Sequence, residues 1–212
     1  MENNTVFVLL AGGKSERMGV DKGLLKYQHT FWILEQLNRI SKTTIKTVYI
    51  GLGYHYENYF NAIPWLKKAV HTATDFQGLQ INVIINQHPE LGSFSTLKTV
   101  LQIIAPNCSI LVSHIDIPMV NSVELQKIID AKNTIVIPNF EGKNGHPIKM
   151  DTLFWKKLIP LKISDIDARL DFQIKKVNPS QISTITVLDT NSIRNLNTKK
   201  EWITYINNSN EL

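Results

Sequence analysis

Short apolar runs alternate with segments of helical periodicity along most of the chain, and this alternation constrains the fold more than any other feature. The first run, residues 6–10, is continuously apolar and stops near two glycines, which is typical of a strand buried on both faces. Further strands are predicted at 45–50, 81–85, 110–113 and 134–137, and intervening helices at 31–40, 93–104 and 123–131. This pattern predicts an α/β fold, a three-layer, Rossmann-like, mostly parallel sheet with helices on both faces.

Two stretches deviate from the simple alternation. Residues 54–75 are rich in aromatic side chains and are expected to be helical in part, with a break before Pro64. Residues 139–150 are polar and contain glycine. After them we expect short helices at 153–158 and 165–172, a strand at 184–188 and a last helix at 198–206. No internal repeat or flexible linker interrupts the sequence, which indicates one domain over residues 1–212.

Composition excludes several classes of protein. Lys and Arg number 23 against 18 Asp and Glu, and this net charge of +5 suits anionic small molecules without indicating nucleic acid. The single cysteine, Cys108, excludes an internal disulfide and a CxxC metal or redox site. No apolar stretch is long enough for a membrane span or a secretory leader. We therefore expect a cytoplasmic protein with no membrane partner.

The loop after the first predicted strand carries the strongest sign of chemistry. Residues 10–22 combine three glycines with Lys14, Arg17 and Lys22. Glycines let backbone N–H groups approach an oxyanion closely, and cations add to the attraction. Ligands of an open α/β sheet bind beyond the carboxyl ends of its strands, where this loop is expected to lie. A phosphate-binding loop is favoured over a solvated basic turn.

Two standard nucleotide motifs do not account for these residues. Gly13-Lys14-Ser15 looks like the end of a P-loop, but Val8 stands where that motif needs its first glycine. Gly51 and Gly53 begin a GxGxxG pattern, but Tyr56 takes the place of its third glycine. Those two glycines are better explained by an ordinary turn between a strand and a helix.

The sequence of this loop, LAGGKSERMGVDK at residues 10–22 followed by Gly23-Leu24-Leu25, resembles a family signature. The MobA-like NTP transferases, of the nucleotide-diphospho-sugar transferase superfamily, carry LAGGxSxRMGxDKxLL. Four further segments are similar to the family's GxSxSLR, DxPxV, GHP and NxNTPE motifs, at residues 92–98, 115–120, 145–147 and 195–198. The resemblance spans nearly the whole chain and covers 54–80 least. In the last motif, Lys199 stands in place of the proline.

The resemblance implies transfer of a nucleotide from an NTP to a small phosphorylated acceptor, with release of pyrophosphate. Lys22, Arg17 and Asp116 are the implied catalytic residues, and Asp116 would hold Mg²⁺. Independently of the resemblance, Asp116 is an acidic residue just past an apolar strand, although aspartate is also common in turns. The implied nucleotide-binding residues are Leu10, Ala11, Gly12, Gly13, Lys14, Asn86, Ser93 and Ser95.

Structural explanations remain open for several of these residues. Lys14 suits solvent as well as a ligand, Asn86 suits a turn, and Ser93 suits a helix N-cap. His146 could face the acceptor or stabilise a turn. Asn195 and Asn197 could complete the metal or acceptor site or cap the last helix, and Asp189 is a candidate second carboxylate only by proximity to them.

The nucleobase and the acceptor are open as well. The pair Gly12-Gly13 resembles guanylyltransferases of the family, whereas residues 145–147 resemble cytidylyltransferases, so GTP and CTP are both expected substrates. A molybdopterin-type acceptor is the first hypothesis. The alternatives are a sugar- or polyol-phosphate nucleotidyltransferase and a non-catalytic nucleotide-binding regulator. We expect a monomer or small homo-oligomer that does not bind nucleic acid.

Overall fold

One mixed sheet of nine strands runs through residues 4–209, the part of the chain that this computed structural model describes. The strand order is β11-β8-β10-β7-β1-β4-β6-β5, with β9 paired to β8, and β2 and β3 form a separate hairpin. The strands are β1 (Thr5–Ala11), β2 (Lys26–Tyr27), β3 (Thr30–Phe31), β4 (Thr47–Leu52), β5 (Thr74–Phe76), β6 (Leu79–Ile85), β7 (Ser109–His114), β8 (Ile135–Phe140), β9 (Lys143–Asn144), β10 (Ile148–Met150) and β11 (Ile182–Thr186).

Strand β1 lies at the centre of this sheet. Phe7 is in register with Val48 of β4 on one side and with Leu111 of β7 on the other, and both pairings are parallel. Every residue of β1 is buried, as the continuous apolar run predicted. Six of the nine strands point in the same direction, and the other three, β5, β9 and β10, run against their neighbours.

Helices cover both faces, which confirms the predicted three-layer α/β fold. They are α1 (Trp32–Ser41), α2 (Tyr56–Ala62), α3 (Trp65–Lys68), α4 (Ser93–Leu101), α5 (Ser122–Asp130), α6 (Thr152–Trp155), α7 (Leu170–Lys175) and α8 (Lys199–Ser209). Phe7 and Leu9 pack on the face of α1, α2, α3, α5 and α8, whereas Val8 packs on the face of α4, α6 and α7. The two hydrophobic cores follow from the alternation of side chains along a strand.

Several details differ from the sequence predictions. Strand β10 inserts antiparallel between β7 and β8, although no strand was predicted within residues 139–150. The predicted helix over 165–172 is wrong in its first part. Turns precede Arg169, whose backbone is extended, and α7 begins at the next residue. Strand β11 begins two residues before the predicted strand. The predicted break near Pro64 is confirmed between α2 and α3. No helix in the described range is both long and apolar enough to cross a bilayer.

Candidate active site

A cleft of about 310 Å³ lies at the edge of the sheet where the parallel strands β1, β4, β6 and β7 end. Its walls include the loop after β1, the start of α4 and the segment after β7. The lining residues are Leu10, Gly12, Gly13, Ser15, Lys22, Pro89, Gly92, Ser93, Thr96, His114, Ile115 and Asp116. This is the position at which open α/β sheets bind ligands, and the predicted loop and the predicted carboxylate both lie there.

The glycine-rich loop packs so closely that its first glycine has no room for a side chain. The carbonyl of Gly12 accepts a hydrogen bond from the Tyr54 amide at 3.2 Å. A Cβ on Gly12 would lie 2.9 Å from the hydroxyl of Thr96 in α4. At Gly13, by contrast, an added Cβ would meet nothing within 4 Å, so its backbone faces open space. Gly12 therefore packs against α4, and the backbone of Gly13 faces the cleft.

The far end of the loop is fixed by α2 and the residue before it. The carboxylate of Asp21 is 6% exposed and accepts a hydrogen bond from the amide of Asn58 at 2.8 Å. It also lies 3.2 Å from Nδ1 of His55. The amide of Gly23 donates to the hydroxyl of Tyr59, and burial raises the pKa of this phenol. These contacts hold both neighbours of Lys22, and none of the three residues that make them, His55, Asn58 and Tyr59, was predicted from the sequence.

Lys22 brings together three distant parts of the chain. Its ammonium donates to Oδ2 of Asp116 at 2.8 Å and to Oδ1 of Asn197 at 2.7 Å. The Lys22 and Asp116 side chains are 14% and 23% exposed, so the ion pair is shielded yet reachable from the cleft. The two predicted charged residues are thus in direct contact.

Asn197 owes its position to a capping box at the start of α8. The Glu201 carboxylate accepts hydrogen bonds from the backbone amides of Asn197 and Thr198, both at 2.8 Å. The Thr198 hydroxyl accepts in return from the Glu201 amide. These hydrogen bonds, chiefly that from the Asn197 amide, lower the pKa of Glu201. The spacing Thr-x-x-Glu at 198–201 was the signal in the sequence that could have identified this cap.

The oxygens of Asp116 and Asn197 fit a hard divalent cation. A carboxylate and an amide carbonyl are oxygen donors of the kind that Mg²⁺ takes, with phosphate oxygens and water completing the shell. Residues 4–209 contain no cluster of three or more His, Cys, Asp or Glu side chains with metal-binding geometry. Asp189 lies elsewhere, because its carboxylate accepts from the amides of Asn121 and Asn191. One protein carboxylate therefore faces the cleft beside Lys22.

Two of the predicted nucleotide ligands are buried and already hydrogen-bonded within the protein. The amide of Asn86 donates to Ser95 at 2.7 Å and to Thr96 at 3.0 Å, and its oxygen accepts from the His88 amide. The Ser95 hydroxyl is also close to the Gly92 carbonyl. These contacts fix the loop after β6 against α4, and a direct role of either residue toward the nucleotide stays a prediction.

The remaining predicted residues lie around the cleft with different exposure. Ser93 is exposed and lines the cleft, and Gly92, rather than Ser93, occupies the N-cap of α4. Lys14 is exposed, lies 3.4 Å from Glu16 and sits over the Tyr54 ring. Arg17 is exposed on the same loop. Both cations are thus on the exposed surface of the loop that lines the cleft. Ala11 is buried in β1, as is Leu10, which lines the cleft.

Two histidines line a second, larger cavity of about 750 Å³ beside the cleft. The rings of His114 and His146 are 5.5 Å apart and nearly perpendicular. Burial lowers the pKa of both, and in His146 the neighbouring His114 helps to bring the pKa to about 4. Both imidazoles are therefore neutral near pH 7. The larger cavity shares Leu10 and Ser93 with the cleft, so the two spaces are adjacent.

Comparison with known proteins identifies the family of the chain. Residues 7–173 match the family model described as the MobA-like NTP transferase domain. The chain belongs to the MobA-like NTP transferase family. The members are nucleotidyltransferases, which use NTP substrates and a divalent metal. The resemblance seen in the sequence is confirmed, and the family match covers the loop, Lys22 and Asp116. No curated protein sequence matches the chain.

Solved structures of differently named proteins share the fold of this MobA-like chain. It is 15% identical to molybdopterin-guanine dinucleotide biosynthesis protein A from Archaeoglobus fulgidus, with a TM-score of 0.67, covering 98% of this chain and 100% of that one. It is 13% identical to 4-diphosphocytidyl-2C-methyl-D-erythritol synthase from Anaerococcus prevotii (TM-score 0.70, coverage 98% and 96%). A Mycobacterium tuberculosis protein solved in complex with manganese is 17% identical (TM-score 0.69, coverage 98% and 100%).

Proposed function

We propose that this protein transfers a nucleotidyl group from GTP or CTP to a small phosphorylated acceptor and releases pyrophosphate. The observation that carries the proposal is the contact of Lys22 with Asp116 and Asn197 at the end of the glycine-rich loop. A cation, a carboxylate and an open backbone peptide at one strand edge suit a triphosphate and its counter-ion. Family membership supports the same reaction class.

The chemistry needs positioning and charge stabilisation from the protein rather than a covalent intermediate. An oxygen of the acceptor phosphate attacks the α-phosphorus of the NTP in line, and the bond to the β-phosphate oxygen breaks. Lys22 stabilises the charge that grows on the α-phosphate. The backbone of residues 10–13 lies against the base and phosphates, and Arg17 and Lys14 attract the anionic tail from the rim of the cleft.

Asp116, with Asn197 beside it, is the proposed ligand set for Mg²⁺. When bound, the ion neutralises phosphate charge and orients the triphosphate. The protein's part is to keep both oxygens in place. The amide of Leu196 donates to the Asp116 carbonyl, and the capping box at Glu201 fixes the Asn197 backbone. Glu201 is thus a positioning residue for the site.

A molybdopterin-type acceptor is supported by the likeness to the Archaeoglobus fulgidus protein, and a sugar or polyol phosphate by the likeness to the Anaerococcus prevotii enzyme. A regulator that binds the nucleotide without turnover is the third candidate. Intact Lys22 and Asp116 favour an enzyme over that regulator, because a protein without turnover has no need to keep both.

Pyrophosphate release tests the proposal. The purified protein is given each of the four NTPs with Mg²⁺ and a panel of phosphorylated acceptors. We expect release with GTP or CTP that depends on an acceptor and is lost in Asp116→Asn. NTP binding without product in any combination would favour the regulator. Absence of NTP binding by folded protein would refute the proposal.

A further inference from the structure

The larger cavity borders the nucleotide cleft but has a different lining. Its volume of about 750 Å³ lies within the range that small-molecule sites occupy. It meets the cleft at Leu10, Gly92, Ser93 and His114. If the cleft holds the nucleotide, as the proposed function has it, a molecule in the larger cavity has one end at the reacting phosphates. This cavity is therefore the place of the acceptor.

The cavity walls are mainly apolar. Eleven of its 21 lining residues are Ala, Ile, Leu or Phe. Phe94 and Leu97 of α4 are buried, and Leu170 and Ile174 come from α7. Hydroxyl groups of a polyhydroxylated molecule that face these apolar side chains would lack hydrogen-bonding partners, which costs free energy. An apolar molecule would gain by leaving water.

The charged side chains that line the cavity sum to zero and therefore do not attract a second anionic group. Two acidic and two basic side chains line it, Asp165, Asp171, Arg169 and Lys175. Arg169 forms an ion pair with Asp171, with Nε 3.1 Å from Oδ1. The nucleotide loop, by contrast, carries the three cations Lys14, Arg17 and Lys22. An acceptor is thus expected to carry its phosphate at the junction with the cleft and no further charge in the cavity.

Two large aliphatic side chains at this cavity are exposed to solvent. Ile166, in the turns before α7, is 92% exposed, and Leu91, before α4, is 50% exposed. Both line the cavity. At such exposure neither contributes much to the core, so their apolar surface is available to a ligand.

We propose that the acceptor is a phosphate monoester whose body is predominantly aliphatic or aromatic, rather than a sugar or polyol phosphate. This inference rests on the proposed function. A deprotonated oxygen of the acceptor phosphate forms the new bond to the α-phosphorus of the NTP. The bond between that phosphorus and the bridging oxygen breaks, and pyrophosphate leaves with the electron pair. The product is a diphosphate joining a nucleoside to an apolar group.

The test compares acceptors that carry the same phosphate. Hexyl phosphate and phenethyl phosphate form the apolar pair, and erythritol phosphate and glucose phosphate form the polyol pair. Each is assayed for pyrophosphate release with Mg²⁺ and GTP or CTP. We expect kcat/KM to be at least about tenfold higher for the apolar pair. Equal or higher values for the polyol pair would overturn the proposal.

A matched pair of variants connects the preference to the cavity. Ile166→Ser should raise the KM for hexyl phosphate by about threefold to tenfold, with the KM for the NTP and the melting temperature unchanged. Leu188→Ser changes a side chain that is 81% exposed but does not line the cavity, and it should alter none of these values. Equal effects of the two variants would contradict the assignment.

Calorimetric binding separates failure of this proposal from failure of the proposed function. If the NTP binds but hexyl phosphate binds no more tightly than erythritol phosphate, the acceptor class is wrong and the nucleotidyl transfer can stand. If no NTP binds, the proposed function fails. Binding affinity then still tests which class of ligand the cavity takes. Hexyl phosphate binding more tightly than erythritol phosphate, with weaker binding in Ile166→Ser, supports an apolar ligand, and equal affinity for the two phosphates refutes it.

Discussion

Replacing Lys22 by methionine removes one charge from the centre of the site while keeping most of the side-chain volume. A cation about 4 Å from a phosphate contributes about 4 kcal/mol at an effective dielectric constant near 20. If that interaction is made in the transition state, its loss lowers kcat by about a thousandfold. The Asp116 carboxylate that loses its partner is 23% exposed and can be hydrated. We therefore expect the free energy of unfolding to change by only about 1 kcal/mol.

The assay is single-turnover pyrophosphate release at saturating NTP and Mg²⁺, with circular dichroism to verify the fold. Lys14→Met is the matched control, because Lys14 is on the same loop but is 51% exposed and already close to Glu16. We expect Lys14→Met to lower kcat by less than about tenfold, since exposed charges are screened. Similar losses in both variants would show that the loop acts by general attraction. A Lys22→Met rate within about tenfold of the wild type would refute the assigned role.

Other residues give further predictions. Gly23→Ala puts a methyl group 2.7 Å from the buried Tyr59 ring, and overpacking should lower the free energy of unfolding in urea by about 1–3 kcal/mol; an unchanged midpoint would contradict this contact. Hydrogen bonds from two backbone amides lower the pKa of Glu201, so thermal melts should show wild-type stability falling as the pH drops below 4.5, with a weaker fall in Glu201→Gln. The pKa of His146 is about 4 in the folded protein and 6.5 in the unfolded chain, so the unfolded chain binds this proton first as the pH falls. The free energy of unfolding of the wild type should therefore decrease as the pH falls from 6.5 to 4, and more steeply than that of His146→Asn. Asp116→Asn should weaken Mn²⁺ binding in the presence of NTP by at least about tenfold in calorimetry, and equal affinity would exclude the carboxylate as a ligand.

The parts of the fold that sequence reasoning predicted are those with a strong local signal. Strand β1 is a run of apolar residues, and its full burial follows from that run. The helix break at Pro64 follows from the backbone restrictions of proline. Strand β10 has three residues and no periodicity to distinguish it. Its position between β7 and β8 depends on pairing with strands that are distant in sequence, and the local sequence carries no signal for such pairing.

The same difference holds at the candidate site. The loop and Asp116 were identified because a glycine pattern and a charge after an apolar strand are local features. The contact of Lys22 with Asn197 joins residues 175 positions apart, and the Asn58 contact with Asp21 depends on how α2 packs. Such contacts arise from tertiary packing. The capping box at Glu201 could be predicted from the spacing of Thr198 and Glu201, but its effect on the position of Asn197 could not.

A crystal structure with a non-hydrolysable GTP or CTP analogue and Mn²⁺ would locate both the triphosphate and the metal ion. We expect the triphosphate along residues 12–17, its α-phosphate next to the Lys22 ammonium, and an anomalous manganese peak at the Asp116 carboxylate. A triphosphate bound away from this loop, or manganese at another group while the nucleotide occupies the cleft, would contradict this expectation.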